Sequence, residues 1–277
     1  MKKVLKWVGI VLVVIFGIGI LVGKDESKPV EDTSVSSAPS SSSNSNSKKT
    51  ISLTAKEAEF INFVIEDDAD VAFSGGDALI KPDVIFVTAK ELQKNYAANE
   101  ARGDKTYKDK DMVITGVVSS IDSSIGDIPV VTLKTNDMFN TVHVRFKKQY
   151  RDIAIDLDKN KKITFFCKGD GVIIGSPTVS SCMPVDVAKK DFTNKQKQYV
   201  NNSLEGDKSI PDEIKGIILL TKIVGEETND FAKCEKFGKK CLESTVQKMK
   251  ASGKDPKSYL ESSPAAQELK EVLGEKK

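Results

Sequence analysis

Histidine, tryptophan and cysteine are nearly missing from this chain. Its 277 residues include one histidine, His143, one tryptophan, Trp7, and four cysteines. No Cys-x-x-Cys spacing occurs, so there is no ligand set for a tetrahedral metal site. No serine or cysteine nucleophile has an identifiable base and orienting partner. No catalytic residue, metal or cofactor is therefore assigned. A surplus of one charge is also missing: 42 basic residues face 40 acidic ones, a formal net charge of +2. Such a balance gives no global attraction for nucleic acid or for an anionic membrane. Aromatic residues make up only 6% of the chain, so platforms for stacking single-stranded bases are scarce. What is left is a polar chain, 39% hydrophobic and 30% charged, long enough for one large domain or two small ones.

The first long apolar run sets the expected compartment. Lys2, Lys3 and Lys6 precede an uncharged stretch from Trp7 to Gly23. As a helix rising ~1.5 Å per residue, that stretch falls just short of the ~30 Å hydrocarbon core. Val4 and Leu5 extend it, and Lys6 can snorkel to the interface. Residues 1–24 are therefore expected to be an uncleaved signal-anchor, held in the inner membrane by residues 4–23. A cleaved signal peptide is the second reading, although apolar residues continue past the small-residue triple Gly17-Ile18-Gly19. The lysines hold the N-terminal end in the cytoplasm and send the rest outside. Residues 25–50, rich in serine, read as a flexible tether that holds the folded part clear of the membrane.

Residues 51–87 read as a short helix and an acidic loop. Thr54 and Glu57 have capping-box spacing for a helix from Ala55 to about Ile65. Glu66, Asp67, Asp68 and Asp70 then form a cluster without the ligand spacing of a calcium loop, which reads as solvated loop. Thr88 and Glu91 repeat the capping box before a helix expected to end at Gly103-Asp104.

From Met112 to Pro184 the pattern changes to alternation. Val113, Thr115 and Val117 point one way, and Ile114, Gly116 and Val118 the other. Gly116 inside a long strand marks a sharp bend or close approach. Two further strands are expected over Val130–Thr135 and Thr141–Phe146. A helix over Tyr150–Leu157 follows, then strands over Lys162–Lys168 and Thr178–Val185. Cys167 and Cys182 are nearly symmetric about Ile174-Gly175, so a hairpin sets them opposite each other. In an oxidising compartment they are expected to form a cross-strand disulfide. Cys234 and Cys241 bracket a short loop turned at Gly238 and are expected to form a second. The order of elements implies a five-stranded barrel of the oligonucleotide/oligosaccharide-binding type, the OB-fold.

Leu92, Tyr96, Asn99 and Glu100, then Tyr107-Lys108-Asp109-Lys110, Val113 to Val118, Val131-Thr132-Leu133 and the Cys167–Cys182 bracket carry a resemblance. Over about residues 88–186 the sequence resembles the tRNA_anti-like group of small bacterial OB-fold proteins, often associated with the cell envelope. The resemblance implies a binding-type fold; the group's name alone does not imply tRNA binding.

An OB-fold usually binds on the face of its second and third strands. The candidate ligand-binding residues on that face are Thr132, Lys134, His143 and Arg145, which could meet a phosphate or carboxylate. Residues 187–277 read as a helical C-terminal region. Ser209 is expected to cap a helix there whose face is Ile214, Ile217, Ile218, Thr221 and Val224. The expected fold class is mainly β with helical additions: a membrane helix, an OB-fold barrel and an α-helical C-terminal region. The expected function is non-enzymatic binding or assembly in the periplasm or its equivalent, with an envelope protein as partner. A single-stranded nucleic-acid-binding protein is the alternative. A hydrolase-type enzyme is a second alternative, which requires His143 to meet Asp127 or Asp137.

Overall fold

The computed structural model describes residues 51–124, 126, 128–251, 263, 264 and 267. The expected membrane helix and serine-rich tether lie outside the described residues. Among the described residues, no helix is long and apolar enough to cross a membrane. The chain divides into two compact units, one formed by residues 67–195 and the other by residues up to 66 together with 196–277.

Six strands organise the first unit: β1 (Val84–Thr88), β2 (Asp111–Ser124), β3 (Ile128–Leu133), β4 (Val142–Phe146), β5 (Lys162–Ile173) and β6 (Ser176–Pro184). β2 pairs antiparallel with β3, β3 with β4, β4 runs parallel to β6, and β6 pairs antiparallel with β5. β5 then pairs with the first half of β2, from Asp111↔Lys168 to Val117↔Lys162. The pairings therefore return to the strand they started from. One strand can serve two neighbours in sequence because β2 is long and its register with β3 shifts between Val118 and Ser120. Gly116 lies just before that shift. A Cβ there would come within 2.8 Å of Leu133 Cδ1 and 3.1 Å of Ala89 Cβ, so the close approach requires glycine.

Alternation fills the interior. Met112, Val118, Val131, Leu133, Val142, Val144, Cys167, Val179 and Cys182 are fully buried. The hairpin turns at Ile174-Gly175, and Cys167 and Cys182 are joined in a disulfide across it.

Several expectations require correction. The sheet has six strands, not five, because β1 adds alongside β2 in parallel. Its sequence, Val-Ile-Phe-Val-Thr, is rich in β-formers, whereas residues 51–87 read as a short helix and an acidic loop, with Thr88 as the following cap. That cap forms: Thr88 accepts from the Glu91 N–H and Glu91 accepts from the Thr88 N–H. The helix behind it is two helices, α2 (Ala89–Ala98) and α3 (Glu100–Tyr107). Asn99 breaks it by adopting an extended backbone and capping α3 through the Arg102 N–H. α3 runs through Gly103 rather than stopping there. The helix expected over Tyr150–Leu157 is the shorter α4 (Arg151–Ile155), between β4 and β5.

α1 (Ala55–Phe73) is longer than expected. The acidic cluster lies within it, not in a loop, because the apolar face continues through Ile65, Ala69 and Ala72. Asp68 is buried there and accepts the N–H groups of Leu79 and Ile80 at 2.7 and 2.9 Å. Burial pushes its carboxyl above the ordinary range, partly offset by those two bonds.

The second unit is helical. It contains the start of α1, the end of α5 (Val185–Leu204), α6 (Asp212–Thr228) and α7 (Lys239–Ala251). Thr54 and Glu57 form the expected capping box, and Glu57 also pairs with Lys222 at 2.9 Å. The expected α6 face is buried. Ser209 does not cap it: Pro211 occupies the N-cap position, and the Ser209 hydroxyl donates to Asp207. Phe60, Phe231 and Phe237 form an aromatic cluster with ring centroids 4.9–5.5 Å apart. Cys234 and Cys241 form the second disulfide. Residues 252–262 lie outside the described residues; beyond them the Gln267 N–H donates to the Ser263 carbonyl.

Candidate functional site

β3 and β4 alternate as their sequences require. Val131, Leu133, Val142, Val144 and Phe146 point inward and are buried, while Thr132, His143 and Arg145 lie half-buried on the other face. Thr132 is the direct cross-strand partner of His143, and Val130 that of Arg145. His143 in turn stands beside Thr178 of β6. Three of the four candidate residues are therefore neighbours on one surface. Lys134 stands just past the end of β3, and its ammonium donates to Asn160 Oδ1.

Much of this face is already answered within the protein. Arg145 pairs with Asp170 of β5, both side chains being about two-fifths exposed. His143 Nε2 lies 3.2 Å from Thr141 Oγ1. Phe146, the aromatic residue of β4, is turned into the core against Phe165. Asp137, one of the two carboxylates that an enzyme reading would join to His143, serves its own loop instead. It accepts the N–H groups of Phe139 and Asn140 at 2.8 and 2.9 Å and the Asn140 amide at 3.2 Å. Those bonds, the Asn140 N–H foremost, hold its carboxyl below the ordinary range. Asp127 lies outside the described residues.

A second surface lies where β3 ends. The loop from β3 to β4 carries Met138 and Phe139, about nine-tenths exposed, and the β5–β6 turn carries Ile173 and Ile174, the latter 96% exposed. The two segments are side by side: the Thr141 N–H donates to Ser176 Oγ at 3.3 Å, and a Cβ on Gly175 would lie 2.8 Å from Asn140 Oδ1. Lysines flank the base of the loop. The Lys134 N–H donates to the Val117 carbonyl, and Val117 pairs across with Lys162. Among the described residues, neither lysine pairs with a carboxylate.

Sequence reasoning from strand alternation did not reach Met138, Ile173 and Ile174. It also missed Asp170 as the partner of Arg145. A signal for these three was present: with Phe139 they are four large apolar side chains at loop and turn positions with nothing to bury them. The Asp170 contact depends on the β5–β6 bulge between Gly169 and Val172, which alternation alone does not reveal.

The sequence model of the tRNA_anti-like family matches residues 1–183. The chain belongs to the tRNA_anti-like family. The match begins at the first residue, well before the stretch around residues 88–186 that carries the recognisable motifs. No curated protein matches the chain. Among solved structures, this tRNA_anti-like protein is similar to one titled "putative nucleic acid-binding lipoprotein", from Klebsiella pneumoniae subsp. pneumoniae MGH 78578. The two are 18% identical over 35% of this chain and 90% of that one, with a TM-score of 0.31, a likeness too distant to support an argument.

Proposed function

We propose that this tRNA_anti-like protein is a non-enzymatic binding or assembly protein of the cell envelope. Residues 1–24 anchor it in the membrane, residues 25–50 tether it, and the strand ring β2–β3–β4–β6–β5 serves as an OB-type barrel outside the cytoplasm. The observation that carries this reading is the state of the cysteines: all four are joined in two disulfides, one in each unit. Disulfides persist in oxidising compartments and are rare in the cytosol. The family, the lysine-flanked apolar run at the N-terminus and the serine-rich stretch support the same reading. Arg145 and His143, both engaged by neighbours, lie on the β3–β4 face that the proposed partner would meet.

The test is topological. A reporter fused after Thr50 is expected to be active only outside the cytoplasm. Activity only inside reverses the orientation and removes the reason for the disulfides. The binding face is tested by capturing partners from intact envelopes with Thr132, Lys134, His143 and Arg145 altered together. A partner lost with that change makes this face the binding surface.

Single-stranded nucleic-acid binding is the second reading, favoured by exposed Phe139 on the loop that Lys134 begins. It requires an affinity that falls steeply with salt and that drops when Lys134 and Arg145 are substituted. Absence of binding to any oligonucleotide at low salt removes it.

A further inference from the structure

We infer that the paired tips of the β3–β4 loop and the β5–β6 turn form a second, reversible membrane contact. Met138, Phe139, Ile173 and Ile174 would enter the interfacial layer of a bilayer containing anionic phospholipid, and Lys134, at the base of the β3–β4 loop, would meet its headgroups. This inference rests on the proposed envelope location.

Four observations carry it. First, these are four of the six large apolar side chains the described residues leave exposed, and they come from two adjacent segments. Exposed apolar groups scattered singly are ordinary; clustered ones mark an interaction surface. Second, the turn residue itself is costly to keep. Ile174 has φ +47° and Gly175 φ +73°, and Ile173 pairs with Ser176 across them. Such a two-residue turn favours Asn-Gly, and a β-branched residue at positive φ is an outlier. An isoleucine placed there and almost wholly exposed contributes nothing to the core.

Third, the charge at the base of the β3–β4 loop suits an anionic headgroup. Lys134 has no carboxylate partner among the described residues, and its ammonium donates to the neutral side chain of Asn160. The single carboxylate of the β3–β4 loop, Asp137, is turned onto its own backbone N–H groups. Basic side chains near a bilayer are drawn to anionic leaflets over short range, and apolar side chains beside them add interfacial burial. Fourth, the shape and chemistry select the occupant. The apolar groups project from two loop tips and do not line a groove. Only one of the four is aromatic, so a nucleic-acid strand would find a single stacking platform. The proposed tether keeps the bilayer available: a coil the length of residues 25–50 spans roughly 30 Å end to end, which lets the domain return to the membrane that anchors it.

The experiment uses the full chain reconstituted into vesicles of phosphatidylglycerol and phosphatidylethanolamine. Trp7 is the sole tryptophan, so Trp7→Phe with Phe139→Trp places one reporter at the tip. The reporter should emit to the blue and be quenched by acyl-brominated lipid. The same reporter at Ile155, exposed elsewhere on the unit, should stay unquenched. Adding Lys134→Gln should reduce the tip quenching, as should replacing phosphatidylglycerol with phosphatidylcholine. Circular dichroism of each variant confirms that it is folded.

A tip reporter no more quenched than the one at Ile155 overturns the inference. If the chain still floats with the vesicles, the anchor reading stands while the tip contact fails. If flotation requires Phe139 and Ile174, the tip contact stands and the anchor fails. Absence of flotation removes both. A tip reporter untouched by brominated lipid but quenched by single-stranded oligonucleotide overturns the inference in favour of nucleic acid.

Discussion

The outer face of β3 and β4 and the loop end just beyond it differ in how much of their chemistry the protein itself satisfies. On the face, Arg145 has Asp170, His143 has Thr141, and the side chains beneath them are part of the core. At the loop end, Met138, Phe139 and Ile174 touch little, and Lys134 meets no carboxylate among the described residues. The contrast follows from strand geometry. Strand neighbours stand about 5 Å apart, so a charge on a strand has partners close by. A turn residue has none, and its identity is constrained only by backbone conformation and by what comes from outside. Chemistry left unanswered is more informative about a ligand than chemistry that is merely charged.

The comparison makes unequal demands on substitutions. Leu133→Ala, which empties a fully buried position under the face, should lower unfolding stability by about 2–5 kcal/mol. Phe139→Ala should stay within about 0.5 kcal/mol of the parent, as surface changes usually do. Chemical denaturation of both proteins measures this. A large loss from Phe139→Ala would mean that the tip is structural and would erase the distinction.

The disulfides come next. Replacing Cys167 and Cys182 together by alanine, across a separation of 15 residues, should cost about 3 kcal/mol by loop-closure entropy. Replacing Cys234 and Cys241, separated by 7, should cost about 2.4 kcal/mol on the same basis. Thermal melts with and without reductant test the order. A larger effect at the short loop would move the main constraint from the sheet unit to the helical one.

The side of this comparison that was legible in the sequence is the inward one. Period-two alternation in Val142–Phe146 and Val131–Leu133 assigned every buried residue there to its correct face, because a one-residue slip would have turned all of them outward. The cysteine bracket located the hairpin turn for the same reason. β1 was not legible because it is only five residues long, runs straight into α2, and joins the sheet through a partner, β2, far along the chain. The break at Asn99 was hidden by a helical apolar pattern that runs on without phase change from Leu92 to Tyr107. The acidic run Glu66–Asp70 looked like loop because composition outweighed the apolar face beneath it, and only Asp68's contact with Leu79 and Ile80 shows why a helix tolerates it. Of the site, the face could be predicted and the tip could not. Exposure at a turn depends on neighbours that alternation does not specify.

A smaller effect, of opposite sign, is expected at the turn. Ile174→Asn places a residue that tolerates positive φ where an isoleucine is strained, and should raise stability by about 1 kcal/mol. The same change should reduce the lipid quenching of the tip reporter. Gain in stability with loss of contact would separate folding from function at a single position. Loss of stability would show that Ile174 is held by contacts within the fold, and the loop end would then resemble the face.

The smallest expected effect is a pH dependence confined to the tip. Asp137 holds the β3–β4 loop through the Asn140 and Phe139 N–H groups and the Asn140 amide, and these bonds depress its pKa below the ordinary 3.8. A carboxylate with a depressed folded pKa stabilises the fold fully above its unfolded value and loses that contribution as pH falls through the folded one. The loop clasp should therefore be intact at neutral pH and begin to release only below 3.8. The Phe139→Trp reporter should detect the release as a change in emission at low pH that Asp137→Asn abolishes, while the buried sheet core, monitored by circular dichroism, stays folded over the first part of that change. Simultaneous loss of both signals would show that the tip and the face unfold as one structure and have no separate stability to compare.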